Sequence, residues 1–184
     1  MKAEALSRFL ILAGTGIWLG ALLMLGYGVA PVNFGVAKSW ELEGTNPRMP
    51  DQSVTYRTVG GELTGNSIAR LNQIESVSFL FIVIGLALMW NKQSGSRNHR
   101  ITITVLTVLL GALFYYYAIV AGSRLMEIRN TVPLDFSVTE SALKTAVHLE
   151  FDRLHKAYTR TSSVAMLVIA TIFTLTVFGN QKQN

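Results

Sequence analysis

The sequence contains no cysteine and only three histidines among its 184 residues. Without thiols there is no disulfide, no zinc–thiolate site, no iron–sulfur cluster and no cysteine nucleophile. Charge is scarce as well: 15% of residues are Asp, Glu, Lys or Arg, against 50% hydrophobic and a mean hydropathy of +0.37. Enzyme signatures are missing, with no G-x-S-x-G, no P-loop, no dinucleotide glycine pattern and no HExxH. The net charge of +5 would suit a nucleic-acid partner. No basic stripe is interleaved with aromatics for base stacking, however, so nucleic acid is not expected. The positive excess lies beside hydrophobic segments, where it acts as a topology signal.

What the chain has is long apolar runs. Four stretches, approximately 9–30, 71–91, 101–123 and 161–181, approach or reach the roughly 20 residues that cross a hydrocarbon core. None shows the polar face that a helix of a soluble bundle requires. The expected fold is all-α: one membrane domain over residues 1–184, a four-helix transmembrane bundle with outer loops at 31–70 and 124–160. Lys2 and Arg8 ahead of the first run resemble a signal peptide, but the apolar part is too long and Pro31 follows the small-residue candidate. A retained helix is the preferred reading.

The loops set the orientation. Residues 91–100 carry Lys92, Arg97 and Arg100 with no acid, whereas the other two loops mix both signs. The positive-inside rule then makes both termini cytoplasmic, in a cell membrane (the inner membrane, for a bacterium). Residues 43–61 read as an irregular outer loop. The third loop offers Ser137-Val138-Thr139-Glu140, a capping box. With no glycine or proline from there to Phe178, it predicts a helix of about 40 residues, near 60 Å long, projecting beyond the bilayer on the extracytoplasmic side.

Between helices, lipid supplies no hydrophobic drive, so close backbone approach decides association. Gly16 and Gly20 form a GxxxG among other small residues, and that face is expected to meet another helix, a membrane partner or a second copy. Tyr115, Tyr116 and Tyr117 point in three directions and cannot all face one ligand; packing and interface roles suffice for at least two.

One segment could carry chemistry. In HLEFDRLHKAYTR, residues His148, Asp152 and His155 fall at i, i+4 and i+7 on one helix face, with Thr159 continuing the row. An apolar stripe of Val147, Phe151, Leu154 and Tyr158 runs beside it. A divalent metal is the functional reading, with Glu75 or Glu127 completing the ligand set and Met126 available to copper. His148 and His155 stand about 10 Å apart along the axis, too far to share one ion directly. The plainer reading, in which Asp152 bonds its neighbours and the histidines cover exposed helix surface, ranks above metal or haem binding. Proton or ion translocation ranks last. Glu75 is the second candidate. At membrane depth it must face the bundle or snorkel outward, with Asn72 in its pocket and Arg70 or Arg124 to neutralise it. A boundary residue in the headgroup zone is the favoured reading.

WLGALLMLGYGVAPVNF (residues 18–34) looks like the first-helix signature of the transmembrane-protein-205-like family, domain of unknown function 4149. FDRLHKAY (151–158) is similar to its Leu-His element, and GGELTGNSIARLNQIE (60–75) resembles its approach to the second helix. The resemblance implies a four-helix membrane domain with Gly20, Ala30, Pro31, Phe34, Leu154 and His155 at family positions. Two departures stand out: residues 43–61 are longer than the pattern needs, and Ser162 replaces a common Asn. The function expected is a non-enzymatic accessory or structural membrane protein whose outer head, with Asp152 and His155, makes contacts. The alternative is a metal- or cation-handling protein using His148, Asp152, His155 and Glu75.

Overall fold

The computed structural model describes residues 3–43, 55–131 and 145–179, and among them every regular element is helical. Four long helices form: α1 (Ala3–Glu43), α2 (Tyr56–Asn91), α3 (Arg97–Arg129) and α4 (Ala146–Phe178). Each is long and apolar enough to cross a membrane. Leu80, Val105, Val108 and Leu167 are exposed on their outer faces, as suits helices in contact with lipid tails.

The helices alternate in direction. At one end, Arg8 Nη2 donates to the carbonyls of Thr176 and Val177, both at 3.2 Å. The start of α1 thus lies against the last turn of α4, where a cation also meets the negative pole of the helix. The Ser7 hydroxyl donates to the Gly85 carbonyl at 2.7 Å, bringing the last turns of α2 to the same end. Helix α1 packs against α2 and α4, and α3 against α2 and α4, closing a four-membered ring. Its centre is filled by Ile11, Trp18, Ile82, Ile103, Leu110, Tyr117, Ile169 and Ile172, each at most 1% exposed.

Glycine sets the α1–α2 crossing, at positions other than the expected pair. A Cβ at Gly14 would stand 2.6 Å from the Ser78 carbonyl oxygen, and one at Gly85 would stand 2.9 Å from that of Ser7. Each backbone therefore lies directly on the other. Gly16 has only the edge of Phe173 within 4 Å, and Gly20 has nothing. Gly16 thus meets α4 only at the rim of that ring, and Gly20 meets no other helix of its own chain.

The sequence reading undercounts helix in two places and starts the last helix too early in a third. Expected loop residues 31–43 continue α1, although Pro31 lies in the way. A π-helical stretch, Met24–Val29, immediately precedes it, and this wider turn accommodates the ring and missing N–H that disrupt a regular α-turn. Residues Tyr56–Gly61, expected to be irregular, open α2. There Gly60 lets the Phe34 ring lie on the helix backbone, where a Cβ would meet it at 2.6 Å; tertiary packing overrides weak propensity. The predicted cap at 137–140 lies outside the described residues, but α4 itself begins at Ala146, so a helix unbroken from Glu140 is not what forms. Thr145 is its N-cap: Oγ1 accepts from the His148 N–H, and the Thr145 N–H donates to His148 Nδ1 at 3.3 Å. An imidazole here does the work of the usual Glu or Gln in the reciprocal cap.

Candidate functional site: a buried carboxyl between four helices

Among the described residues, Glu75 is the one fully buried carboxyl. It is the twentieth of 36 residues in α2 and 0% exposed. Of the two placements expected, facing the bundle or snorkelling outward, the side chain takes the first. Neither expected counter-charge reaches it. Arg70 hydrogen-bonds Gln73 at 3.3 Å. Arg124 grips Glu150 through two bonds of 2.9 and 3.3 Å and bridges Glu127 at 2.9 Å.

The surroundings of the carboxyl come from the other three helices. The Tyr117 hydroxyl of α3 and the Trp18 indole N–H of α1 stand close enough to act on it. None of these polar atoms closes to a hydrogen bond: both Glu75 oxygens, Trp18 Nε1 and Tyr117 OH are buried and unpartnered. Tyr158 of α4 is the second aromatic hydroxyl within electrostatic reach of Glu75. It is mostly buried, and its OH donates to Asn72 Oδ1 at a long 3.5 Å. Asn72, expected in the same pocket, is thus joined to it through Tyr158.

An edge-to-face chain of rings holds the group. Trp18 meets Phe114 at 5.3 Å between centroids, Phe114 meets Tyr117 at 5.7 Å, and Tyr117 meets Tyr158 at 5.3 Å, all near perpendicular. Such pairs stabilise by about 0.5–1.5 kcal/mol beyond their burial. Tyr117 gains its inward direction within a second π-helical stretch, Tyr115–Ala121, which resets the phase of α3. Tyr115 and Tyr116 then face outward at 62% and 44% exposure while Tyr117 is fully enclosed. Gly122 completes the fit, since a Cβ there would crowd the Tyr117 carbonyl at 3.0 Å and touch the Tyr158 ring.

The outer His/Asp row is placed differently. His148 spends Nδ1 on the helix cap. His155 is exposed and stacks on Phe151, with ring centroids 6.1 Å apart and planes 5° from parallel. Asp152 is half-buried, and Tyr158 leads the apolar stripe inward, as the helical spacing predicts. Among the described residues, no group of three or more His, Asp or Glu could hold a metal ion. The structure does not bring His148, Asp152, His155 and Glu75 together as one such set.

Sequence reasoning singled out Glu75 and Asn72 but missed Trp18, Tyr117 and Tyr158. Tyr158 was legible, because it lies on the apolar stripe of its helix. Nothing in a run of three tyrosines tells which one faces inward when a π turn intervenes.

At the opposite end, Arg100 lies over the Trp90 ring at 5.1 Å and the indole N–H donates to Thr104 at 2.8 Å. Arg8, Lys92, Arg97 and Arg100 collect at that end, where His99 sits beside Gly179.

Fold and site together define an all-helical bundle of four membrane-crossing length helices around an enclosed, unpaired carboxyl. No protein-family model, curated protein or solved structure matches the chain.

Proposed function

We propose that this chain is a non-enzymatic, multi-pass membrane protein that takes up a proton or small cation at Glu75. The observation that carries this reading is the carboxyl itself, wholly enclosed by four helices and without a cationic partner. A carboxylate in that position costs several kcal/mol unless its charge is offset, and such residues inside membrane bundles mark sites of function. A bound cation or proton offsets the charge.

The basic end, where α1 starts and α4 finishes, is assigned to the cytoplasm, and the membrane to the cell membrane. Tyr27, at 84% exposure, and the outward Tyr115 and Tyr116 fit the opposite interface, where amphipathic rings settle. The outer turns of the helices, including Asp152 and His155, then form a head that makes the contacts of an accessory role. Membership of the transmembrane-protein-205-like family is part of this proposal and is supported by the motifs at 18–34, 60–75 and 151–158.

Trp18 supplies the test. In a Trp40→Phe/Trp90→Phe background it is the single tryptophan, and its indole faces Glu75. Titration of the protein in nanodiscs with acid, sodium, potassium and divalent ions should change its emission with at least one of them. Glu75→Gln should abolish the response. If no cation changes the emission, the proposal is wrong.

A further inference from the structure

We infer that the cation accepted at Glu75 is a proton, and that it arrives from the side on which Tyr158 and Asn72 stand; this rests on the cation-binding reading above.

The donor inventory selects the ion. A metal cation needs several oxygen ligands around it. Trp18 Nε1–H is a donor only, and a donor directed at the carboxyl repels a metal ion placed there. Larger organic cations would have to part rings that already meet edge to face at 5.3 and 5.7 Å. A proton needs no added room. Two charge states are then served by the same groups. On ionisation, Glu75 draws the nearby indole N–H and Tyr117 O–H, which are unpartnered in the structure, into hydrogen bonds. Protonated, it donates to the Tyr117 oxygen, whose hydroxyl rotates away, while the indole still donates to the other carboxyl oxygen. One O–H bond forms at the carboxylate, one proton leaves water, and the site goes from charge −1 to neutral.

The route is one-sided. Toward Asn72, which is half-buried, the polar groups are Tyr117, then Tyr158, whose hydroxyl bonds the Asn72 amide oxygen. A tyrosine hydroxyl gives one proton as it takes another. In the other direction the chain closes at once: one turn past Glu75, the Ser78 carbonyl lies on Gly14 with Ile82 beside it. From each element packed on the site, the titratable groups that face Glu75 among the described residues are Tyr117 of α3 and Tyr158 of α4, and α1 contributes the non-titrating Trp18. Arg70, Arg124 and Arg129 are bonded elsewhere, to Gln73, to Glu127 and Glu150, and to the Glu62 carbonyl.

Infrared difference spectroscopy of the full chain in nanodiscs, recorded across a pH jump, decides the matter. Acidification should raise the carbonyl band of one protonated carboxyl. That band should be lost in Glu75→Gln, shifted in Glu75→Asp, and unchanged when sodium replaces potassium. Tyr158→Phe should leave the band but slow its appearance several-fold. A carboxyl signal that ignores pH and follows sodium or potassium overturns the proton assignment and leaves cation binding standing. Loss of every carboxyl response, together with a silent Trp18, removes both. An unchanged rate in Tyr158→Phe overturns the route.

Discussion

A single methyl group distinguishes the glycines of α1. At Gly14 it would press on the Ser78 carbonyl, at Gly85 of α2 on the Ser7 carbonyl, and at Gly20 on nothing. Gly14→Ala and Gly85→Ala are therefore expected to destabilise the bundle by about 1–3 kcal/mol each, the usual cost of overpacking. Gly20→Ala should stay within about 0.5 kcal/mol of the parent. Reversible denaturation in detergent micelles reads all three, and a neutral Gly14→Ala would refute the crossing described. Glu75 is the opposite kind of residue, one that the fold tolerates rather than needs. Glu75→Gln keeps its shape and removes the charge, so the variant should unfold at the same or higher denaturant concentration. A large loss of stability would assign the carboxyl a structural role instead.

Two helix-level devices lie where sequence rules are least informative. One is the pair of π turns, which carry α1 past Pro31 and turn Tyr117 inward. The other is the cap of α4, where Thr145 and His148 satisfy each other's backbone groups. Loss of an N-cap hydroxyl costs about 1 kcal/mol. Thr145→Ala should accordingly fray the start of α4, and amide exchange at residues 146–149 should quicken. His148→Ala should quicken the same amides, through loss of the return bond from its imidazole. A matching effect of chelators on the parent protein would show that His148 holds a metal and not the cap.

For the whole molecule, the charge distribution predicts a topology that the absence of cysteine makes simple to check. Gln93→Cys, in the turn between α2 and α3, should react with an impermeant maleimide only from the cytoplasmic side. Lys156→Cys, near the start of α4, should react only from outside. The reverse pattern would invert the proposed orientation and place the Asn72 side of the carboxyl toward the cytoplasm. The same pair in nanodiscs, open on both faces, controls for accessibility.

Local composition was enough to reveal the four apolar helices, the inward stripe ending at Tyr158 and the interest of Glu75. Hydrophobic run length and helical phase are properties of a segment alone. They did not reveal the helical stretches after Pro31 and before Gly61, whose order comes from a π turn and from Phe34 resting on Gly60. Nor could they choose Gly14 over Gly16, or Tyr117 over its two neighbours. Those choices depend on rotation of one helix against the next, and a shift of one residue turns a side chain by about 100°. Only the packed bundle fixes that rotation, and with it the enclosure of one carboxyl by three aromatic residues from three other helices.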